Sequence, residues 1–198
     1  MAEISTAEAE PSKAEAGLYV INGRSSRFTV RATASGLLAA MGHNPTINIG
    51  DFSGEVKFDP EKLEASSFRL TIKTSSLGVQ DDISDKDRRE MERLMNKDVL
   101  ETAKFPEILY VAPAIAVTNM TGMLYSAMLN GELTMHGVTR GQPITARVVM
   151  LGSMLRASGD FSLDQTDYNL KLVSFAGGAL KLKDELKFSF EIVARKQE

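Results

Sequence analysis

From Leu18 onward, apolar residues alternate with polar ones in run after run, and this period of two constrains the fold more than any other feature of the chain. Phe28, Val30 and Ala32 alternate with Arg27, Thr29 and Arg31; Val56 and Phe58 with Glu55 and Lys57; Phe68, Leu70 and Ile72 with Arg69, Thr71 and Lys73. Such a strand turns one face to a core and the other to water. Further runs cover residues 107–118, 124–134, 142–151, 155–163 and 180–194. In the last run Leu186, Phe188, Phe190 and Ile192 stand opposite Lys187, Ser189, Glu191 and Val193. With short strands near the N-terminus the count reaches about eight, which suits an antiparallel barrel or sandwich.

A closed barrel of about eight strands either fills its interior with side chains or holds one small ligand. The runs through Tyr125, Ala127, Leu129 and Gly131, and through Ala146, Ala157 and Gly159, set small residues among large ones. They leave room for an apolar cavity or permit close contact between packed sheets.

One segment breaks the alternation. Residues 84–96 read as a helix, with Ser84 as N-cap and Asp87 as its capping-box-like partner. Asp85, Asp87 and Glu90 lie early and Arg93 and Lys97 late, as the helix dipole favours. Met91, Leu94, Met95 and Val99 form one apolar stripe, suited to capping an open end or edge of the barrel or to serving as a mobile lid. Residues 37–41 are a second, shorter helix candidate.

Residues 1–17 hold four Glu and one Lys with few large apolar side chains, and they read as a disordered acidic tail. The rest carries 22 acidic and 22 basic residues, so no broad field draws in nucleic acid. No apolar run reaches the roughly 18 residues of a membrane-spanning helix. No basic start and apolar run mark a secretory signal, which favours the cytoplasm, or the periplasm if a signal has been removed.

The chain has no cysteine and two histidines, His43 and His136. Thiolate chemistry is excluded, and no HExxH or comparable spacing supports a metal site. The Asp81, Asp82, Asp85 and Asp87 group lacks the glycine and closing glutamate of a calcium loop. Neither a GxGxxG or P-loop pattern nor a GxSxG elbow occurs. No cofactor or metal is expected, and the missing catalytic residues favour binding over catalysis.

Several segments, in order, resemble the YceI-like family of polyisoprenoid-binding, lipocalin-like proteins. These are Phe28-x-Val30, Gly42-His43-Asn44-Pro45, Phe52-Ser53-Gly54, residues 66–77 and Lys104-Phe105-Pro106-Glu107-Ile108. The strongest is Gly131-Glu132-Leu133-Thr134-Met135-His136-Gly137-Val138-Thr139, followed by residues 157–161 and 184–194. The resemblance covers nearly all of residues 18–195 and implies an all-β fold. The expected form is an extended eight-stranded antiparallel lipocalin-like barrel with one or two short helices near its mouth. Residues 18–198 are then one lipid-binding domain whose interior takes a polyisoprenoid, an isoprenoid quinone or a fatty acyl chain.

Alternation and family position together assign Phe28, Val30, Phe52, Phe68, Leu70, Ile72, Ile108, Tyr110, Phe161 and Leu163 to the cavity wall. His43, His136 and Tyr168 are the candidates for polar contact with a ligand head group. The sequence departs from the family where Asp87-Arg88-Arg89-Glu90 stands inside a longer amphipathic helix. Two other readings stay open: an enzyme using the histidines, with or without a metal, and a scaffold that docks a partner on the 84–96 helix. Stable membrane insertion is not expected, and a homodimer is left open.

Overall fold

The structure, a computed structural model, describes residues 14–35, 44–175 and 180–198. Its strands are β1 (Gly17–Ile21), β2 (Arg27–Ser35), β3 (Thr46–Ile49), β4 (Phe52–Phe58), β5 (Ser67–Lys73), β6 (Leu77–Val79) and β7 (Glu107–Ala112). They continue as β8 (Ile115–Thr121), β9 (Leu124–Met135), β10 (Val138–Leu151), β11 (Met154–Asp164), β12 (Ser174–Phe175) and β13 (Leu180–Lys196). Among the described residues one α-helix, α1 (Asp85–Leu94), runs into a π turn at Met95–Val99.

All the pairings are antiparallel, and they close a ring of eight. Four members of the ring are strands broken in two. β1 and β2 both pair with β13, β3 pairs with β2 and β4 with β1, β5 pairs with β4 and β6 with β3, and β7 and β8 both pair with β9. The other four are the long strands β9, β10, β11 and β13. Each ring member pairs with its neighbour in sequence, and β13 returns to β1 through Tyr19↔Lys196, Val20↔Arg195 and Ile21↔Ala194. Closure removes the sheet edges that would otherwise recruit other chains. The outward faces carry residues such as Lys187, Glu191 and Arg147, the reverse of what a lipid-embedded barrel needs.

Alternation along the strands produces the core. In β9 and β10 inward Tyr125, Ala127, Leu129, Ile144, Ala146 and Val148 are each at most 9% exposed. The β9–β10 connection is a two-residue turn, His136 and Gly137, with φ of 50° and 77°. Such a turn matches the strand twist, and the small second residue suits its left-handed backbone.

Near one end the wall between β6 and β7 is made by α1 rather than by a strand. Val79 N–H donates to Glu92 Oε1 at 3.0 Å, and Arg88 donates to the carbonyls of Val79 and Asp81. Helix side chains therefore satisfy the edge that β6 leaves open. Ser84 caps the helix, its Oγ accepting from Asp87 N–H at 3.1 Å as its sequence position implies. The chain continues past Asn96 in the looser π turn, Leu100 N–H donating to Met95 O at 2.8 Å, and both Val99 and Leu100 end up buried.

The domain boundary drawn at Leu18 lies a few residues inside described structure. Gly17 opens β1, and Glu15 pairs with Lys196 at 2.7 Å. Residues 1–13, the short helix candidate at 37–41 and His43 lie outside the described residues.

Candidate ligand cavity

The inward side chains leave a cavity of about 220 Å³ along the barrel. Its wall is almost entirely aliphatic or aromatic, with Gln165 the amide in the lining. Gln165 Nε2 donates to Lys183 O at 2.9 Å. Apolar cavities of about 150 Å³ already stay dry and take up a guest the size of benzene. A wall without charge can hold a hydrocarbon but offers nothing to an ionised group.

Of the wall residues expected from sequence, Phe28, Val30, Phe68, Leu70, Ile72, Ile108, Tyr110 and Phe161 face the cavity. Phe52 does not: it packs against Phe28 with the ring planes nearly perpendicular and the centroids 6.0 Å apart. Leu163 and Tyr168 also lie outside the cavity, in a separate polar groove with Arg140 and Asp167. Alternation assigned each residue a face but could not tell where along that face the interior stays open.

His136 is likewise outside the cavity lining. Its Nε2–H donates to Glu101 Oε2 at 2.7 Å, its ring packs on Phe105 with centroids 4.3 Å apart, and Nδ1 is buried without a partner among the described residues. Glu101 and His136 both have left-handed backbones, φ 45° and 50°. The hydrogen bond from His136 holds the Glu101 carboxyl below its ordinary value, and Lys104 and Lys171 add to the effect. The pair ties the segment after the π turn to the β9–β10 turn.

Sequence reasoning missed part of the wall. Phe188, Phe190 and Ile192 line the cavity, and their alternation with Lys187, Ser189 and Glu191 along the last run marks them. Phe161 stacks on Phe188, its register partner, with centroids 4.6 Å apart. From α1 and the π turn, Met91, Met95 and Val99 reach the cavity, so three of the four stripe residues are wall.

Tyr110 illustrates how the wall is held. Its hydroxyl lies 2.9 Å from Gln142 O and 3.1 Å from Leu129 O, and burial pushes its pKa up to about 12. The ring lies against Gly131, where a Cβ would stand 2.5 Å from it. Phe190 crosses Gly159 in the same way, at 2.8 Å. These two glycines accommodate aromatic rings, whereas Ala127, Ala146 and Ala157 line open space.

Among the described residues no three His, Asp or Glu side chains come together in a way that could hold a metal, and no helix is long and apolar enough to cross a membrane. Antiparallel closure around a cavity that is uncharged among the described residues defines a lipocalin-like barrel. The chain belongs to the YceI-like domain family, whose sequence model matches residues 19–194. It is 31% identical over 154 residues to a UPF0312 protein of Pseudomonas savastanoi pv. phaseolicola, spanning 74% of this chain and 72% of that one.

Solved structures share the fold at lower identity. BcnA of Burkholderia cenocepacia superposes with a TM-score of 0.66 at 22% identity, covering 87% of this chain and 98% of BcnA. A polyisoprenoid binding domain from Saccharophagus degradans gives 0.65 at 14% identity, covering 92% of this chain and all of that domain.

Proposed function

We propose that this barrel binds one long apolar chain, a polyisoprenoid, an isoprenoid quinone or a fatty acyl chain, and sequesters or carries it without chemical change. The observation that carries this reading is the cavity whose wall, among the described residues, has no charged side chain. Each methylene moved from water into such a wall contributes roughly 0.8 kcal/mol, so a chain is held without a charged anchor. The polyisoprenoid binding domain of the same fold supports the isoprenoid class. A head group has no ionic partner among the described lining residues, and in this reading it lies toward the end lined by α1 and the π turn. Phe28, Val30, Phe68, Leu70, Ile72, Ile108, Tyr110 and Phe161 are proposed to contact the chain.

Organic-solvent extraction of gently purified protein, mass spectrometry of the extract and metal analysis of the residue test this. A near-stoichiometric prenyl or acyl lipid without metal is the expected result. Bound metal at the histidines with no lipid would transfer the assignment to the enzyme reading.

A further inference from the structure

We infer that Phe58 and Tyr125 form the floor of the cavity and set the longest chain it accepts. This rests on the chain-binding reading above. Phe58 ends β4 and Tyr125 lies near the start of β9, three ring members apart in a ring of eight. Their side chains nevertheless meet, edge to face, with centroids 5.6 Å apart and ring planes at 75°. They therefore reach across the lumen from opposing walls, and both line the cavity.

On this side of the barrel Tyr19, Met150 and Ala194 are fully buried and do not line the cavity, while Leu155, the register partner of both Met150 and Ala194, does. Tyr19 Oη donates to Glu15 O at 2.6 Å, and Gln197 N–H donates to Leu18 O at 2.8 Å, so residues 15–19 and the segment after β13 are joined on this side. The β8–β9 and β10–β11 turns lie at this end of the barrel. At the other end Met91 and Met95 line the cavity with flexible, unbranched side chains that adjust to a guest. Two aromatic rings in mutual contact adjust less. Chain length is discriminated at the floor.

A homologous series therefore gains roughly fourfold in affinity per added methylene until the terminal methyl meets the Phe58–Tyr125 crossbar, and gains nothing beyond. Opening the floor moves that limit to longer chains, and raising it moves the limit to shorter ones. Ala127 is the next inward residue above Tyr125 on β9 and lines the cavity, so Ala127→Leu raises the floor without leaving a void.

The test uses the full chain stripped of lipid, with n-alkanols of increasing length displacing cis-parinaric acid. Thermal melts confirm that each variant is folded. Phe58→Leu and Tyr125→Leu should bind alkanols longer than the wild-type limit, and Ala127→Leu should stop at shorter ones. An unchanged limit in folded variants that still bind alkanols overturns the floor assignment and leaves the chain-binding reading intact. If the floor variants do not fold, Ala127→Leu decides alone: a shorter limit supports the assignment and an unchanged one overturns it. Wild-type protein that binds neither the fluorophore nor any alkanol overturns the chain-binding reading, and the floor assignment with it.

Discussion

At the residue scale, Tyr110 and Gly131 explain each other. The ring occupies the space a β-carbon would need, and the backbone carbonyl of Val111 would stand 2.7 Å from the same atom. Gly131→Ala should cost about 1–3 kcal/mol in urea unfolding, the usual cost of overpacking. Gly141→Ala, with nothing within 4 Å of the new atom, is the control and should change stability little. Tyr110 also makes stability depend on alkaline pH. Below pH 10 the folded and unfolded chains both keep the phenol proton. Between 10 and about 12 only the unfolded chain releases it, so stability falls as pH rises through that window. Tyr110→Phe should flatten this slope in unfolding curves taken across the window, at a cost of about 1 kcal/mol for the lost hydrogen bond.

At the element scale, α1 does the work of a missing strand. Glu92 and Arg88 satisfy the β6 edge from the helix, and the Glu101–His136 pair fastens the far end of the segment to the β9–β10 turn. A left-handed backbone at both members of a bonded pair is locally unfavourable, and the contacts around it maintain it. Because Met91, Met95 and Val99 form part of the cavity wall, loosening this attachment should open the wall. Glu101→Gln is expected to speed release of bound cis-parinaric acid in stopped-flow exchange and to raise amide exchange in residues 95–105; unchanged rates would show that the pair does not restrain the segment. The acid dependence follows from the depressed Glu101 pKa. Its contribution is complete above the ordinary carboxyl value of 4.5 and is lost as pH falls through the lower folded value. The variant should therefore show a weaker acid dependence of stability than the wild type.

At the scale of the whole molecule, β13 closes the ring on both halves of the first ring member, with three residue pairs to β1 and eight to β2. Ala194, fully buried, sits at the seam with β1. Deleting residues 194–198 should lower the thermal midpoint sharply and expose the amides of Tyr19–Ile21 to exchange, while an unchanged melt would show that the seam is dispensable. The all-β class, the strand positions and the capped helix were legible in the sequence because each is written in a local period or a local hydrogen bond. Ser84 and Asp87 are three residues apart, and Phe188, Phe190 and Ile192 need only their neighbours to mark their face. What the tertiary structure decided was which inward residues meet open space. Phe52 alternates as well as Phe28 does, yet only Phe28 lines the cavity. Gly131 and Ala127 are both small, yet a ring fills the space beside one and the cavity lies beside the other. His136 finds its partner 35 residues away, and Phe58 meets Tyr125 only because the ring closes. Alternation fixes the face of a strand, whereas the free space inside depends on the size and tilt of side chains arriving from every other wall.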